Sequence, residues 1–279
     1  MESSFTGTGC LTPDESSTSF TDGGKSYAKF ERCLKGWDAF EDAARSAEPH
    51  WFKDLLSLWR PSGHPSGEGL RVAIRNGYLN FYRLGQSIAR VVYVSGELIA
   101  EVHYKYVGVE RAPRYSKSPY LRLTLKGVFF RDTKIATFEG LSTLNQWIAE
   151  AEKYAGVEKR LVDELVEKNN HVIDLEMALP AWARSTSAVR MDLVAIENGK
   201  VVFWEVKTVN DNRIRCTAEF EEDRSPEVLK QLSNYRVFLN ETRHISQVES
   251  AYLNTAKFLV KLRALADEIG PPLAEGTAS

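Results

Sequence analysis

A chain of 279 residues that is 43% hydrophobic and 11% aromatic can bury a substantial core, as one large domain or two ordinary ones. A formal net charge of -2 and a pI near 6.3 exclude a uniformly basic, nucleic-acid-coating protein, so any basic surface is local. Cys10, Cys33 and Cys216 form no paired spacing, which argues against a disulfide framework, a Cys-rich zinc site or an iron-sulfur cluster; with no membrane-length apolar run and no signal peptide, a cytoplasmic protein without a membrane partner is expected.

Residues 1 to 25 are rich in Ser, Thr and Gly and bury too little to offset the entropy of ordering, so they read as a disordered tail. Phe30, Cys33, Leu34, Trp37 and Phe40 recur at helical spacing. His50 to Arg60 carries Trp51, Phe52, Leu55, Leu56 and Trp59 on a second helix, ahead of a breaker loop from Pro61 to Gly69. From Leu70 to Val107, Asn76-Gly77 and Ser95-Gly96 between β-rich runs predict an antiparallel meander. A loop from Arg111 to Pro119 and one further strand, Leu121 to Phe130, complete an N-terminal α+β unit over residues 26–140. Its Trp and Tyr/Phe residues recur at helix or strand period and read as core. Between His103 and Lys134 the basic Lys105, Arg111, Arg114, Lys117, Arg122, Lys126, Arg131 and Lys134 face only Glu110 and Asp132, with Tyr104, Tyr106, Tyr115 and Tyr120 interleaved. That pattern suits a phosphate-binding surface with stacking platforms, and equally a solvated strand face.

The pattern turns helical near Ser142, and Gly156 breaks it before the run Val157 to Asn169. A strand over His171 to Leu179 follows, then the stretch Met191 to Lys207, a polar loop, and helices near 225–240 and 248–269 that Gly270-Pro271-Pro272 stops. His171, alone at a helix end, reads as a surface residue and not as a ligand. This second unit covers residues 141–270, with a tail at 271–279.

Met191 to Lys207 carries the chemistry. Asn198-Gly199 is a two-residue hairpin turn, so Glu197 pairs with Lys200, paired positions sum to a constant, and Asp192 falls opposite Glu205. Lys207, two residues on, projects on the same side. Opposed acids weaken a sheet unless something cationic, most simply a divalent metal, sits between them. Val194, Ile196, Val201 and Phe203 share the carboxylate-bearing face; Leu193, Ala195, Val202, Trp204 and Val206 occupy the other. Strands apolar on both faces belong in a sheet covered by helices, so a helix-sheet-helix arrangement is expected. Arg190 falls opposite Lys207, which requires the strands to part there or a phosphate to lie between.

Asp192 followed by Glu205-Val206-Lys207 resembles the signature of the PD-(D/E)XK nuclease superfamily. The run VEKRLVDELVEKN resembles the helix before that family's sheet, which often supplies a further Glu, and Gln231-Leu232-Ser233-Asn234-Tyr235 resembles the QxxxY motif of its RecB-like branch. The resemblance covers about residues 155 to 240. Met191 replaces the usual Pro, and the cysteine cluster of one subgroup is absent. The resemblance implies an α/β unit (α+β overall), with a restriction-endonuclease-like mixed sheet flanked by helices.

It implies metal-dependent hydrolysis of DNA phosphodiesters, in repair, restriction or defence against foreign DNA. Asp192, Glu205 and the Val206 carbonyl would hold Mg²⁺ or Mn²⁺, and Lys207 would assist the attacking water. Counting in steps of three and four puts Glu158 on the sheet-facing stripe with Leu161, Val162 and Leu165, and turns Glu164 toward Arg160 and Lys168, so Glu158 is the expected helix acid. Gln231 and Tyr235, four apart, share a helix face toward the site. Arg111, Arg114, Lys117 and Arg190 are the expected DNA contacts, the partner being single- or double-stranded. A homo-oligomer or partner protein, a catalytically inactive binding module and a ribonuclease are left open.

Overall fold

The computed structural model describes residues 19–22, 25–64, 69–108, 118–180, 190–215 and 226–270. Ser19–Asp22 (β1) and Lys25–Ala28 (β2) pair antiparallel, so the stretch expected to be disordered through residue 25 ends in a small ribbon. The sequence signal for it is Gly23-Gly24, a two-residue spacer of hairpin type.

Trp37–Arg45 (α1) and Trp51–Ser57 (α2) bury Trp37, Phe40, Trp51, Phe52, Leu55 and Leu56 against a seven-stranded antiparallel meander. Its strands are Arg71–Ile74 (β3), Tyr78–Arg83 (β4), Gln86–Val94 (β5), Glu97–His103 (β6), Tyr120–Thr124 (β7), Gly127–Phe130 (β8) and Thr133–Ala136 (β9). The single strand expected from Leu121 to Phe130 is therefore two, β7 and β8, which reverse where Lys126 N–H donates to Thr124 Oγ1 at 3.2 Å and Gly127 takes a φ of 124°. A further turn at Leu84-Gly85, with φ of 46° and 70°, separates β4 from β5. Leu141–Glu152 (α3) sends Leu144, Trp147 and Ala151 into this same core, so that helix sides with the first unit and not with the second, where the expected boundary at 141 had put it.

The second layer system is built from Val157–Lys168 (α4), Val172–Ala178 (β10), Arg190–Glu197 (β11), Lys200–Trp204 (β12), Glu227–Leu239 (α5) and Thr242–Ile269 (α6). The β11/β12 ladder has the expected register, from Glu197 opposite Lys200 to Leu193 opposite Trp204, and both turn residues take positive φ, 51° at Asn198 and 74° at Gly199. The apolar faces divide as expected. Leu193, Ala195 and Val206 pack with Val162 and Val166 of α4, while Val194 packs with Tyr235, Phe238, Val248, Ala251 and Tyr252 of α5 and α6. The sheet expected to be mixed is, over the described residues, wholly antiparallel in the order β10-β11-β12. Chain neighbours paired side by side in opposite directions leave no crossover, which a parallel pair requires.

At 28 residues, α6 begins earlier than the helix expected from 248 and serves both cores: Val248 and Tyr252 pack with the small sheet, while Leu262 and Leu265 join the core of α1, α2 and the meander. The seam between the sheets is ionic. Asp174 accepts from Arg75 Nη1 at 2.6 Å, Arg32 Nη2 at 3.4 Å, the Tyr252 hydroxyl at 3.2 Å and the Leu175 N–H at 2.8 Å, all buried. Nearby, Arg71 Nε lies 3.2 Å from Asp163 Oδ1, both buried. Among the described residues, no helix is long and apolar enough to cross a membrane.

His244 sits fully buried in the first turn of α6, its ring stacked on Phe238 at 4.0 Å and its Nδ1 2.9 Å from the Phe238 carbonyl oxygen. Burial holds its pKa below the ordinary 6.5, so the folded state takes up a proton later than the unfolded chain does. Stability from this residue is complete above pH 6.5 and drains away as pH falls from there toward the lowered value. His50 and His103 shift the same way through burial. In urea titrations at about pH 5 and about pH 7.5, His244→Gln should lose part of the acid-induced drop in midpoint shown by the parent; equal drops would contradict this assignment.

Candidate active site

Four segments end at one place. Gly156 opens α4 and puts Glu158 in its first turn, where the helix dipole favours an acid, with Lys159 beside it. Glu176 lies on β10, Asp192 on β11, and Glu205, Val206 and Lys207 follow directly after β12. The ladder stops at Leu193 and Trp204, one step before Asp192 and Glu205 would pair, and Arg190 instead pairs through Ala178 on β10. Of the two ways expected to relieve Arg190 opposite Lys207, the strands part. Arg190 is left on the rim, its side chain 64% exposed and its Nη1 3.4 Å from Glu176 Oε2.

Lys207 is the centre of the cluster. Its Nζ lies 2.6 Å from Glu205 Oε1, 3.6 Å from Glu158 Oε2 and 3.9 Å from Asp192 Oδ2, and it donates to the Val206 carbonyl at 2.9 Å. Its side chain is 6% exposed, that of Glu205 5% and that of Asp192 9%. Burying an ammonium among carboxylates is unfavourable unless each charge is matched, and here the acids match it. The Val206 N–H donates to Asp192 Oδ2 at 2.9 Å, which fixes that carboxylate to the parted strand. Glu158 opens to solvent at 24%, so the cluster has one wet side. Glu164, by contrast, pairs with Lys168 at 3.8 Å out on the surface, so Glu158 is the helix acid that reaches the cluster.

Glu205 titrates above its ordinary range. Burial is the main cause, the hydrogen bond from Lys207 works against it, and the charges of Asp192 and Glu158 add to it. Its Oε2 is buried and lacks a hydrogen-bond partner. Tyr235, buried on α5, donates to the Met177 carbonyl at 3.4 Å, and its pKa is raised by burial first and then by the charges of Glu205 and Asp192. Gln231, one turn earlier, has a buried Oε1 likewise without a partner. Among the described residues, no hydrogen bond joins either member of the expected Gln231/Tyr235 pair to Asp192, Glu205 or Lys207; Tyr235 reaches β10 instead.

The cluster contains residues that the motif does not specify. Lys159 Nζ contacts Glu176 Oε1 closely and Asp192 Oδ1 at 3.4 Å. Glu176 takes a φ of 51°, in the left-handed region rare for a non-glycine residue and rarer inside a strand. The readable signal was the pair Asp174 and Glu176, two acids on one face of an otherwise apolar strand. Beyond β12, a 3₁₀ turn over Asn212–Ile214 holds Arg213 Nη2 2.7 Å from Glu158 Oε2 and 2.5 Å from Asp211 Oδ2, and this contact keeps the Asp211 carboxyl well below its usual range. Arg111, Arg114 and Lys117 lie outside the described residues.

Among the described residues, no three Asp, Glu, His or Cys side chains form a ready-made cage for a metal ion. Between the acids stand the ammonium groups of Lys159 and Lys207. The donors nonetheless suit a hard cation: they are carboxylate oxygens plus one carbonyl, and Glu205 Oε2 has a buried lone pair to give. No family model, curated protein or solved structure matches the chain.

Proposed function

We propose that this chain is a metal-dependent nuclease of PD-(D/E)XK type that hydrolyses DNA phosphodiester bonds. The reading rests on one observation: Glu158, Asp192 and Glu205 converge on the buried ammonium of Lys207 at a point where the β-ladder opens. Asp192, Glu205 and the Val206 carbonyl would hold Mg²⁺ or Mn²⁺, which when bound supplies charge neutralisation and a water acidic enough to attack at neutral pH. The remaining roles belong to the chain. Lys207, held from several sides, orients the attacking water and offsets charge on the phosphate. Glu158 completes the acidic set, Gln231 and Tyr235 would act on it from α5, and Arg190 on the rim meets the DNA backbone, with Arg111, Arg114 and Lys117 as further contacts. A cytoplasmic setting in DNA repair, restriction or defence suits this activity.

Purified protein is incubated with plasmid, linear single- and double-stranded DNA and RNA, with and without Mg²⁺ or Mn²⁺. Metal-dependent loss of DNA supports the reading. Cleavage of RNA alone replaces it with a ribonuclease. Salt-dependent binding without cleavage in any metal reduces it to a binding module.

A further inference from the structure

Two ammonium groups stand in the cluster, and they are held differently. Lys207 is buried against Glu205 at 2.6 Å and is tied to its own strand through the Val206 carbonyl. Lys159, on α4, is 27% exposed and grips Glu176 far more closely than Asp192, whose Oδ1 it reaches at 3.4 Å. Charge-assisted N–H···O bonds ordinarily close to roughly 2.7–2.9 Å, so the contact with Asp192 is a loose one. Asp192 Oδ2 is committed to the Val206 N–H, which leaves Oδ1, the oxygen Lys159 faces, as its available donor atom. Glu205 Oε2, buried and without a partner, is the second available oxygen.

Glu176 is positioned to keep the loose ammonium where it is. Its left-handed φ of 51° is a conformation that L-residues other than glycine rarely adopt, so surrounding structure must enforce it. Leu175 and Met177 on either side remain in register with Leu193 and Met191, which holds the distorted residue between two fixed pairs. The lysine stem rests against the β4–β5 turn: a Cβ added at Gly85 would come within 2.6 Å of Lys159 Cδ. Lys159 is thus braced by the first unit and anchored by Glu176, and touches Asp192 only at its tip.

We propose that Lys159 is a displaceable counter-ion: it neutralises Asp192 Oδ1 until a divalent cation takes that oxygen, and it then remains on Glu176. This rests on the nuclease reading above, because it takes Asp192 as a metal ligand. Its consequence is competition. Removing the ammonium should tighten metal binding, even though a lysine so close to a catalytic carboxylate would ordinarily be expected to help.

The probe is Mn²⁺ alone, without nucleic acid, titrated into the full chain and read by electron paramagnetic resonance of the free ion. Lys159→Met should bind Mn²⁺ about tenfold more tightly than the parent, the scale of one unit charge removed at a few ångströms in a partly solvated site. A simple gain of negative charge predicts the same, so the deciding variant is the charge-neutral double replacement Lys159→Met with Glu176→Gln. It should still bind several-fold more tightly than the parent, and circular dichroism melts establish that it folds. Double-variant binding equal to or weaker than the parent overturns the counter-ion role. Absence of Mn²⁺ binding in the parent, or parent binding unchanged by Asp192→Asn, overturns the metal-site reading itself.

Discussion

Asp192→Asn should reduce metal-dependent DNA cleavage by at least about 10²-fold, the scale seen when one preorganised group that stabilises charge in a transition state is removed. The replacement is chosen because a carboxamide oxygen can still accept the Val206 N–H that Asp192 Oδ2 accepts at 2.9 Å, so the parted strand keeps its anchor. Lys207→Ala should lose cleavage to a comparable degree for a different reason. It withdraws the cation around which Glu158, Asp192 and Glu205 gather, leaving the buried Glu205 without its ion-pair partner and Asp192 with Lys159 alone. Its melting temperature should therefore fall, whereas that of Asp192→Asn should stay near the parent's. Rates measured on the best DNA substrate, beside thermal melts, separate the two effects. Cleavage by Asp192→Asn at the parent rate would remove this site from the reaction.

Asp174→Ala is expected to destabilise the fold by about 3–5 kcal/mol, as does removal of one partner from a buried ion pair. Its carboxylate has no exposed surface and receives two guanidinium groups, a tyrosine hydroxyl and a backbone N–H. Burial alone would pull the Arg75 pKa down, and Asp174, with Tyr82 and Tyr252, more than reverses it, so Arg75 is held charged in a dry seam. Without Asp174, Arg75 and Arg32 keep their charge but lose its match, Arg75 retaining its contacts to backbone carbonyls such as Leu175 and its hydrogen bond with Tyr82. Against a total stability of roughly 5–15 kcal/mol this is a large share. Urea unfolding should show a much lower midpoint, and a change below about 1 kcal/mol would mean that the seam is not stapled there.

Legibility in the sequence varies with range. The pairing of Glu197 with Lys200 follows from Asn198-Gly199, because a two-residue turn leaves one register and side chains alternate strictly from it. The preference for Glu158 over Glu164 follows from helical periodicity, and the paired surface position of Glu164 with Lys168 agrees with it. Arg190 was legible only as a conflict, which the parting of the strands at Leu193 and Trp204 resolves. The role of Lys159 is not legible, because its own position on α4 carries no information about Glu176 or Asp192, and the φ of Glu176 leaves no compositional trace.

By itself, the sequence determined the elements whose logic is local: which residues turn, which share a face, and hence that an Asp, a Glu and a Lys lie along one hairpin. Only the tertiary structure decided what meets that hairpin. Arg32 and Arg75 reach Asp174 across 142 and 99 residues of sequence, and α6 commits Tyr252 to one core and Leu262 to the other. The physical reason is that periodicity acts over a few residues, whereas burial and charge pairing act on whatever the packed layers bring within a few ångströms, regardless of separation along the chain.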